Sequence, residues 1–237
     1  MVLPELALRH WVLLIFIGSA LFAHFRGKLR FGLLRSLTDF TVLIAPVNAL
    51  MYLFSRTKRS VYIDTAEFPE LLPLQTNWKI IRDEAMALAE DGQIRAAMDY
   101  NDIGFNSFFR TGWKRFYLTW YGRDLASAME KCPQTLALLK QIPSVKAAMF
   151  ASLPPGATLV RHRDPYAGSL RYHLGLVTPN DPACFIEVDG LHYHWRDGEA
   201  VMFDETFIHH AANKTDQQRV VLFCDIERPL WTAPMRW

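Results

Sequence analysis

Cysteine is scarce in this 237-residue chain: Cys132, Cys184 and Cys224 are an odd number at wide spacing. That excludes a closed disulfide framework and a four-cysteine zinc site. Buried, reduced thiols in a reducing compartment are the expected state. Glycine, at 12 residues, is too sparse for a collagen-like repeat, and neither internal repeats nor low-complexity tracts occur. Charged residues reach only 21% against 51% hydrophobic, which excludes a disordered chain. Acid is nearly missing from one end. Residues 1–60 carry eight Lys/Arg against Glu5 and Asp39, a net +6, whereas the remaining residues carry 18 basic and 22 acidic groups, a net −4. A basic, apolar front is joined to a mildly acidic body.

Trp11–Phe25 contains no formal charge. As a helix it measures about 22 Å, short of the roughly 30 Å hydrocarbon core. Extension back to Leu6 adds Arg9 and His10, near enough to one end to snorkel. Arg26, Lys28, Arg30 and Arg35 follow at once, which places the C-terminal side in the cytoplasm by the positive-inside rule. A secretory signal cleaved near Gly18-Ser19-Ala20 and a buried core helix are the rival readings. Charge after the run rather than before it counts against the first, and the second leaves the basic cluster unexplained. A second apolar run, Phe40–Phe54, is broken by Pro46 and Asn48. This predicts a kinked, interfacial or re-entrant segment ended by Arg56, Lys58 and Arg59 as headgroup contacts. A strand and helix leading into the domain is the alternative.

Tyr62–Pro73, with Pro69 and Pro73, reads as a surface linker. Asn77–Met98 has helical period, followed by a loop over Asp99–Ser107 and the aromatic, cationic stretch FFRTGWKRFYLTW. Pro133–Lys140 predicts a further helix stopped before Pro143. After Val145 the period becomes two. Strands are expected at Ala147–Ser152, Thr158–Arg163, Ser169–Val177, Ala183–Val188, Leu191–Trp195, Glu199–Phe203, Ile208–Ala212 and Arg219–Ile226, with turns such as Asp189-Gly190 between them. Strands at this spacing suggest a sandwich or jelly roll.

Six of the eight histidines, His162, His173, His192, His194, His209 and His210, fall within 49 residues of this half. His162 and Asp164 are two apart, so on a strand they share a face. With His209 they make a two-histidine, one-carboxylate set, the facial triad of non-haem Fe(II) oxygenases, whose open positions take a co-substrate and O2. Arg219 opens the apolar strand RVVLFCDI ten residues after His209. A cation there needs a partner, and a co-substrate carboxylate fits a guanidinium fork. H-x-D, then H, then Arg is a layout of Fe(II)/2-oxoglutarate dioxygenases. Two rivals stand beside it: a plain surface turn before Pro165, and a His192/His194 metal pair on the hairpin arm LHYHW. His210 points opposite to His209, so only one of them joins the set. A metal-free jelly-roll binding module is the alternative from a different functional class.

The stretches PPGATLVRHRD, LRYHLGLVTP, VMFDETFIHHA and RVVLFCDIERP, with GWKRFYLTWYG upstream, resemble the aspartyl/asparaginyl β-hydroxylase family over most of residues 112–230. Within it the likeness is to bacterial lipid A hydroxylases and extends through HFRGKLR and LIAPVNALMYLFS. The resemblance implies an α+β fold: a double-stranded β-helix (jelly-roll, cupin-like) catalytic domain with flanking helices and an N-terminal membrane-associated segment. Residues 1–60 would be the anchor and 61–237 the catalytic domain, with the jelly-roll core at about 145–230. It implies Fe(II) on His162, Asp164 and His209, and 2-oxoglutarate on Arg219, with Arg171 and His173 as further contacts and Trp113 lining the pocket. Where the peptidyl enzymes have a serine on the co-substrate, this chain aligns Ala151; where mammalian members have glycine, it has Asp164. O2 would be consumed, with succinate and CO2 released, and the implied product is a lipid A acyl chain hydroxylated at C2. The implied setting is the bacterial inner membrane, the catalytic domain facing the cytoplasm. Lipid A or its precursor and inner-membrane lipids are the expected partners, with no nucleic acid and no obligate protein partner. Lys114, Arg115, Arg161 and Arg163 are candidates for the substrate's phosphates, or an ordinary solvated face. A peptidyl aspartate/asparagine hydroxylase is the same-fold alternative.

Overall fold

The computed structural model describes residues 7–90 and 113–231. Its strands in chain order are β1 (Tyr62–Ile63), β2 (Lys114–Trp120), β3 (Arg123–Asp124), β4 (Val145–Leu153), β5 (Ser169–Val177), β6 (Cys184–Val188), β7 (Leu191–His194), β8 (Ala200–Phe203), β9 (His209–Asn213) and β10 (Arg219–Glu227). They form a seven-stranded sheet in the order β1-β8-β5-β10-β4-β2-β3 and a three-stranded sheet, β7-β6-β9. Every pairing within them is antiparallel. This is the expected jelly roll, in which two sheets face each other across one core and helices cover the outer side of the larger.

Alternation along the central strands assigns the faces. Leu170, Tyr172 and Leu174 of β5 and Val220, Leu222 and Cys224 of β10 join the helical core with Ile81, Leu88, Leu136 and Leu139. The intervening Val221 and Phe223 look into the core between the sheets, with Met149, Ile186, Trp195 and Phe203. Both faces of the large sheet are thus covered, so β5 and β10 are almost wholly buried. The helices are α1 (Leu8–Phe25), α2 (Leu33–Leu37), α3 (Phe40–Leu43), α4 (Ala45–Phe54), α5 (Leu72–Thr76), α6 (Trp78–Glu90), α7 (Ala126–Lys131) and α8 (Pro133–Lys140). Glu84 of α6 accepts from the Gln134 and Thr135 backbone N–H groups, each at 2.9 Å. A carboxylate there satisfies open donors at the positive end of α8.

The expected helix Pro133–Lys140 is observed. That over Asn77–Met98 is observed as α6 up to Glu90; its remainder, and the loop over Asp99–Ser107, lie outside the described residues. Three expectations are corrected. Tyr62–Pro73 is not a surface linker: β1 pairs with β8, and Phe68 and Leu71 are buried. The strands do not begin after Val145, because KRFYLTW forms β2 beside β4. Thr158–Arg163 is not a strand. It meets β9 only through single bridges, Thr158 with Ala212 and His162 with His209. Four residue steps on one side thus span three on the other, a slip that breaks a continuous ladder.

The front is interlocked with the body. Arg26, just past α1, pairs with Asp204 and donates to Tyr52 Oη at 2.9 Å and Thr206 Oγ1 at 2.5 Å. Asp204 also holds Arg228 at 2.9 Å. Asp189 accepts from the Lys28 and Leu29 N–H groups at 2.9 and 2.7 Å. It sits so close that a Cβ on Gly27 would lie 2.8 Å from its Oδ1 and would have to displace that carboxylate. Pro46 is accommodated in the first turn of α4, where a missing N–H costs nothing, and the chain bends at Ile44 between α3 and α4.

Candidate metal centre and active site

The slipped segment after β4 carries the first two candidate ligands. His162 and His209 exchange backbone hydrogen bonds, His162 N–H to His209 O at 3.0 Å and the reverse at 2.8 Å. This holds their rings side by side, 4.2 Å between centroids. The Nδ1 of His162 lies 2.8 Å from Val160 O, and that of His209 lies 2.9 Å from Phe207 O. A carbonyl only accepts, so each Nδ1 carries the proton and each Nε2 keeps its lone pair. Burial lowers both imidazole pKa values, that of His209 to about 3, and keeps the rings neutral as ligands. The Asp164 carboxyl is raised by burial, but the attraction of the neighbouring cation Arg171 leads the opposing effects, and it is held at about 2. One ligand atom from each of His162, Asp164 and His209 lies within 4.8 Å of the others. Two neutral imidazoles and one carboxylate, open to a cavity, suit a divalent first-row metal.

Alternation brings the rest of the set to the same cavity. Its wall includes Trp113, Ala151, Arg171, His173, Arg219 and Phe223, all sequence candidates or their neighbours. Arg219 is buried with its guanidinium 4.4 Å over the Trp195 ring. Its Nε has no hydrogen-bond partner, and it makes no ion pair among the described residues. Burial lowers its pKa only to about 10, so it remains a cation at neutral pH. A buried cation facing a cavity without a counter-ion is a site for an anion. His173 is likewise buried with both ring nitrogens unpartnered, 5.0 Å from the Phe223 ring. Burial, then Arg219 and Arg171, push its pKa well down.

Arg171 is placed differently from Arg219. It pairs with Asp164 at 2.8 Å, with Asp225 at 2.9 Å and with Glu205. Glu205 also accepts from Ser169 Oγ at 2.5 Å, and its backbone carbonyl accepts from Asp164 N–H at 2.9 Å. Burial raises the Glu205 pKa well above the usual range; Arg171 opposes this, and Asp164 and Asp225 reinforce it. One guanidinium is thus shared among three carboxylates. Sequence reading missed Glu205 and Asp225, since neither falls in the ligand motif. The signal available was an acid within each of two apolar strand ends, FDET and FCDIE.

The rival histidines lie elsewhere. His192, on the exposed β7, contacts Glu187 at 2.8 Å, and His210 faces the same carboxylate at 3.6 Å. Two expected phosphate contacts are corrected. Arg163 is buried against Asp39 at 2.8 Å and the Ala23 carbonyl at 3.0 Å, and Arg115 is buried beside the Trp113 ring. Lys114 and Arg161 stay exposed.

The aspartyl/asparaginyl β-hydroxylase family model matches residues 75–229, which span this whole site. The chain belongs to that family. It is similar to the ornithine lipid ester-linked acyl 2-hydroxylase of Rhizobium tropici, 34% identical over 201 residues, covering 84% of this chain and 71% of that protein. It is also similar to the human aspartyl/asparaginyl β-hydroxylase, 28% identical and covering 69% of this chain but only 22% of that protein. Among solved structures, a Pseudomonas putida prolyl-4-hydroxylase aligns over 65% of this chain and 88% of its own, with TM-score 0.42 and 17% identity. By family, this hydroxylase carries its candidate ligands and its buried arginine in one cavity.

Proposed function

We propose that this family member is an Fe(II)- and 2-oxoglutarate-dependent hydroxylase acting at C2 of an acyl chain of a membrane lipid, with a secondary acyl chain of lipid A or its precursor as substrate. One observation carries the reading: His162, Asp164 and His209 converge on the same cavity as a buried arginine with no carboxylate partner among the described residues. The donor set fits the metal, and His162, Asp164 and His209 would hold it. When bound, Fe(II) with 2-oxoglutarate and O2 supplies the oxidising power that hydroxylates an unactivated carbon, giving succinate and CO2. Arg219 receives the far carboxylate of 2-oxoglutarate, in a position too buried for water to compete. Arg171, held by Glu205 and Asp225, orients Asp164. His173, Phe223 and Trp113 add aromatic walls to the cavity.

Similarity to an ornithine lipid acyl 2-hydroxylase supports an acyl chain as the target. The apolar α1 supports a membrane address. The cations that follow it, Lys28, Arg30 and Arg35, support the bacterial inner membrane with the catalytic domain towards the cytoplasm. The division at residue 60 is read as one of role, since residues beyond α1 pack into the body. The test uses the full chain in lipid vesicles with Fe(II) and 2-oxoglutarate, offered lipid A, ornithine lipid or an aspartate/asparagine peptide. Succinate release with one oxygen added to the lipid A acyl chain is expected. Oxygen added only to ornithine lipid would contradict the headgroup assignment, and oxygen added only to the peptide would contradict a lipid substrate.

A further inference from the structure

Helices α3 and α4 are amphipathic in the sense opposite to that of a water-facing helix. Their inner face, turned to the body, carries the polar Thr41, Asn48 and Tyr52, all buried. Their outer face carries Phe40, Leu43, Val47, Leu50 and Leu53 at steps of three and four, all exposed, Phe40 by 68% and Leu53 by 64%. Leu34 of α2 is likewise exposed, at 83%. Monomeric soluble proteins do not leave so continuous an apolar stripe to water.

Three observations say what covers it. The helices that carry the stripe are the ones on which α1 packs, itself an apolar helix with no buried side chain, Phe22 lying 5.8 Å from Tyr52. The described residues up to 60 expose Lys28, Arg30, Arg35, Arg56, Lys58 and Arg59, while their one acidic residue close to this layer, Asp39, is taken by Arg163. Trp231 is exposed, with Arg56 5.2 Å over its ring, an apolar body beside a cation. Apolar stripe, basic flank and tryptophan together complement an anionic lipid surface.

We propose that the outer face of α3 and α4 beds into the headgroup–acyl boundary of an anionic bilayer, as a second, monotopic membrane contact beside α1. The inner face of the same layer holds the ligand-bearing segment. Asn48 donates to Pro165 O at 2.7 Å and accepts from Ala167 N–H at 2.9 Å, and Arg35 donates to Arg161 O at 2.5 Å. The segment carrying His162 and Asp164 is therefore fixed directly on the bilayer-docked layer. The inference does not depend on the reaction proposed above.

The test needs no turnover. Cysteine replaces Leu43, Leu50 or Leu53 singly in the full chain, with Gln141→Cys, exposed after α8 on the helical side of the large sheet, as control. The native Cys132, Cys184 and Cys224 are buried and escape labelling. Each labelled variant is placed in vesicles of mixed phosphatidylcholine and phosphatidylglycerol. Labels at 43, 50 and 53 are expected to be quenched about twofold or more by spin-labelled lipid and shielded from aqueous iodide; the label at 141 should show the reverse. Iodide quenching at 43, 50 and 53 equal to that at 141 would overturn the proposal. Shielding from both quenchers would also overturn it, because a second copy of the chain would then cover the face. Equal lipid quenching in phosphatidylcholine alone would overturn its anionic part.

Discussion

Glu205 has both carboxyl oxygens engaged, one by Ser169 at 2.5 Å and the other by Arg171, and its backbone supports Asp164. Burial and two neighbouring carboxylates push its pKa up, towards the neutral form that Gln mimics. Glu205→Gln is expected to keep metal affinity within about threefold, whereas Glu205→Ala removes one of the three partners that fix Arg171 and weakens it roughly 10–100-fold; Mn(II) titration measures both. His173 gives a pH signature. Its folded pKa lies well below its unfolded value, so as pH falls through about 6.5 the unfolded chain gains a proton that the folded chain refuses. Stability contributed at neutral pH is lost on that acid side, by about 1 kcal/mol between pH 7 and 5.5. His173→Phe should flatten the urea-midpoint-versus-pH curve of the metal-free chain by that amount, and an unchanged slope would show that the ring charges in place. At this scale much was legible. H-x-D, His209 and Arg219 stand out by residue type, and the structure brings them to one cavity. Glu205 and Asp225 were not, since their role comes from sharing Arg171 across strands that pairing alone brings together.

Among the elements, strands with clear turns were read well. Ser169–Val177 matches β5 throughout, and Asp189-Gly190 forms the β6–β7 hairpin with both residues at positive φ. The failures have physical causes. Thr158–Arg163 alternates like a strand but meets β9 with a one-residue slip, a property of the pairing and invisible in either segment alone. β2 was hidden because Lys114, Arg115 and the aromatics obscure its alternation, although its partner β4 completes it. Asn48 was read as a helix breaker, yet it is the buried bracket between α4 and the ligand segment. Asn48→Ala would strand the buried Ala167 N–H, at a cost of about 1–3 kcal/mol. The expected outcome is a lower melting temperature together with weaker metal binding, and hydrogen exchange should localise the loosening to residues 160–167. Protection there equal to that of the unchanged chain would contradict the bracket.

For the molecule as a whole, the imbalance of charge between the two parts of the chain has a location. The basic front is bolted to the acidic body by Arg26, which shares the buried Asp204 with Arg228. Removing one partner of such a group costs about 3 kcal/mol, so Arg26→Ala should destabilise the body as well as α1, and a urea midpoint unchanged in the variant would contradict the coupling. The metal centre assigned to His162, Asp164 and His209 is decided by equilibrium Mn(II) binding to the full chain in detergent. One ion per chain is predicted, with affinity falling at least about a hundredfold in His162→Ala and in His209→Ala and unchanged in His192→Ala. Affinity unaltered by the first two substitutions, or lost with the third, would contradict it.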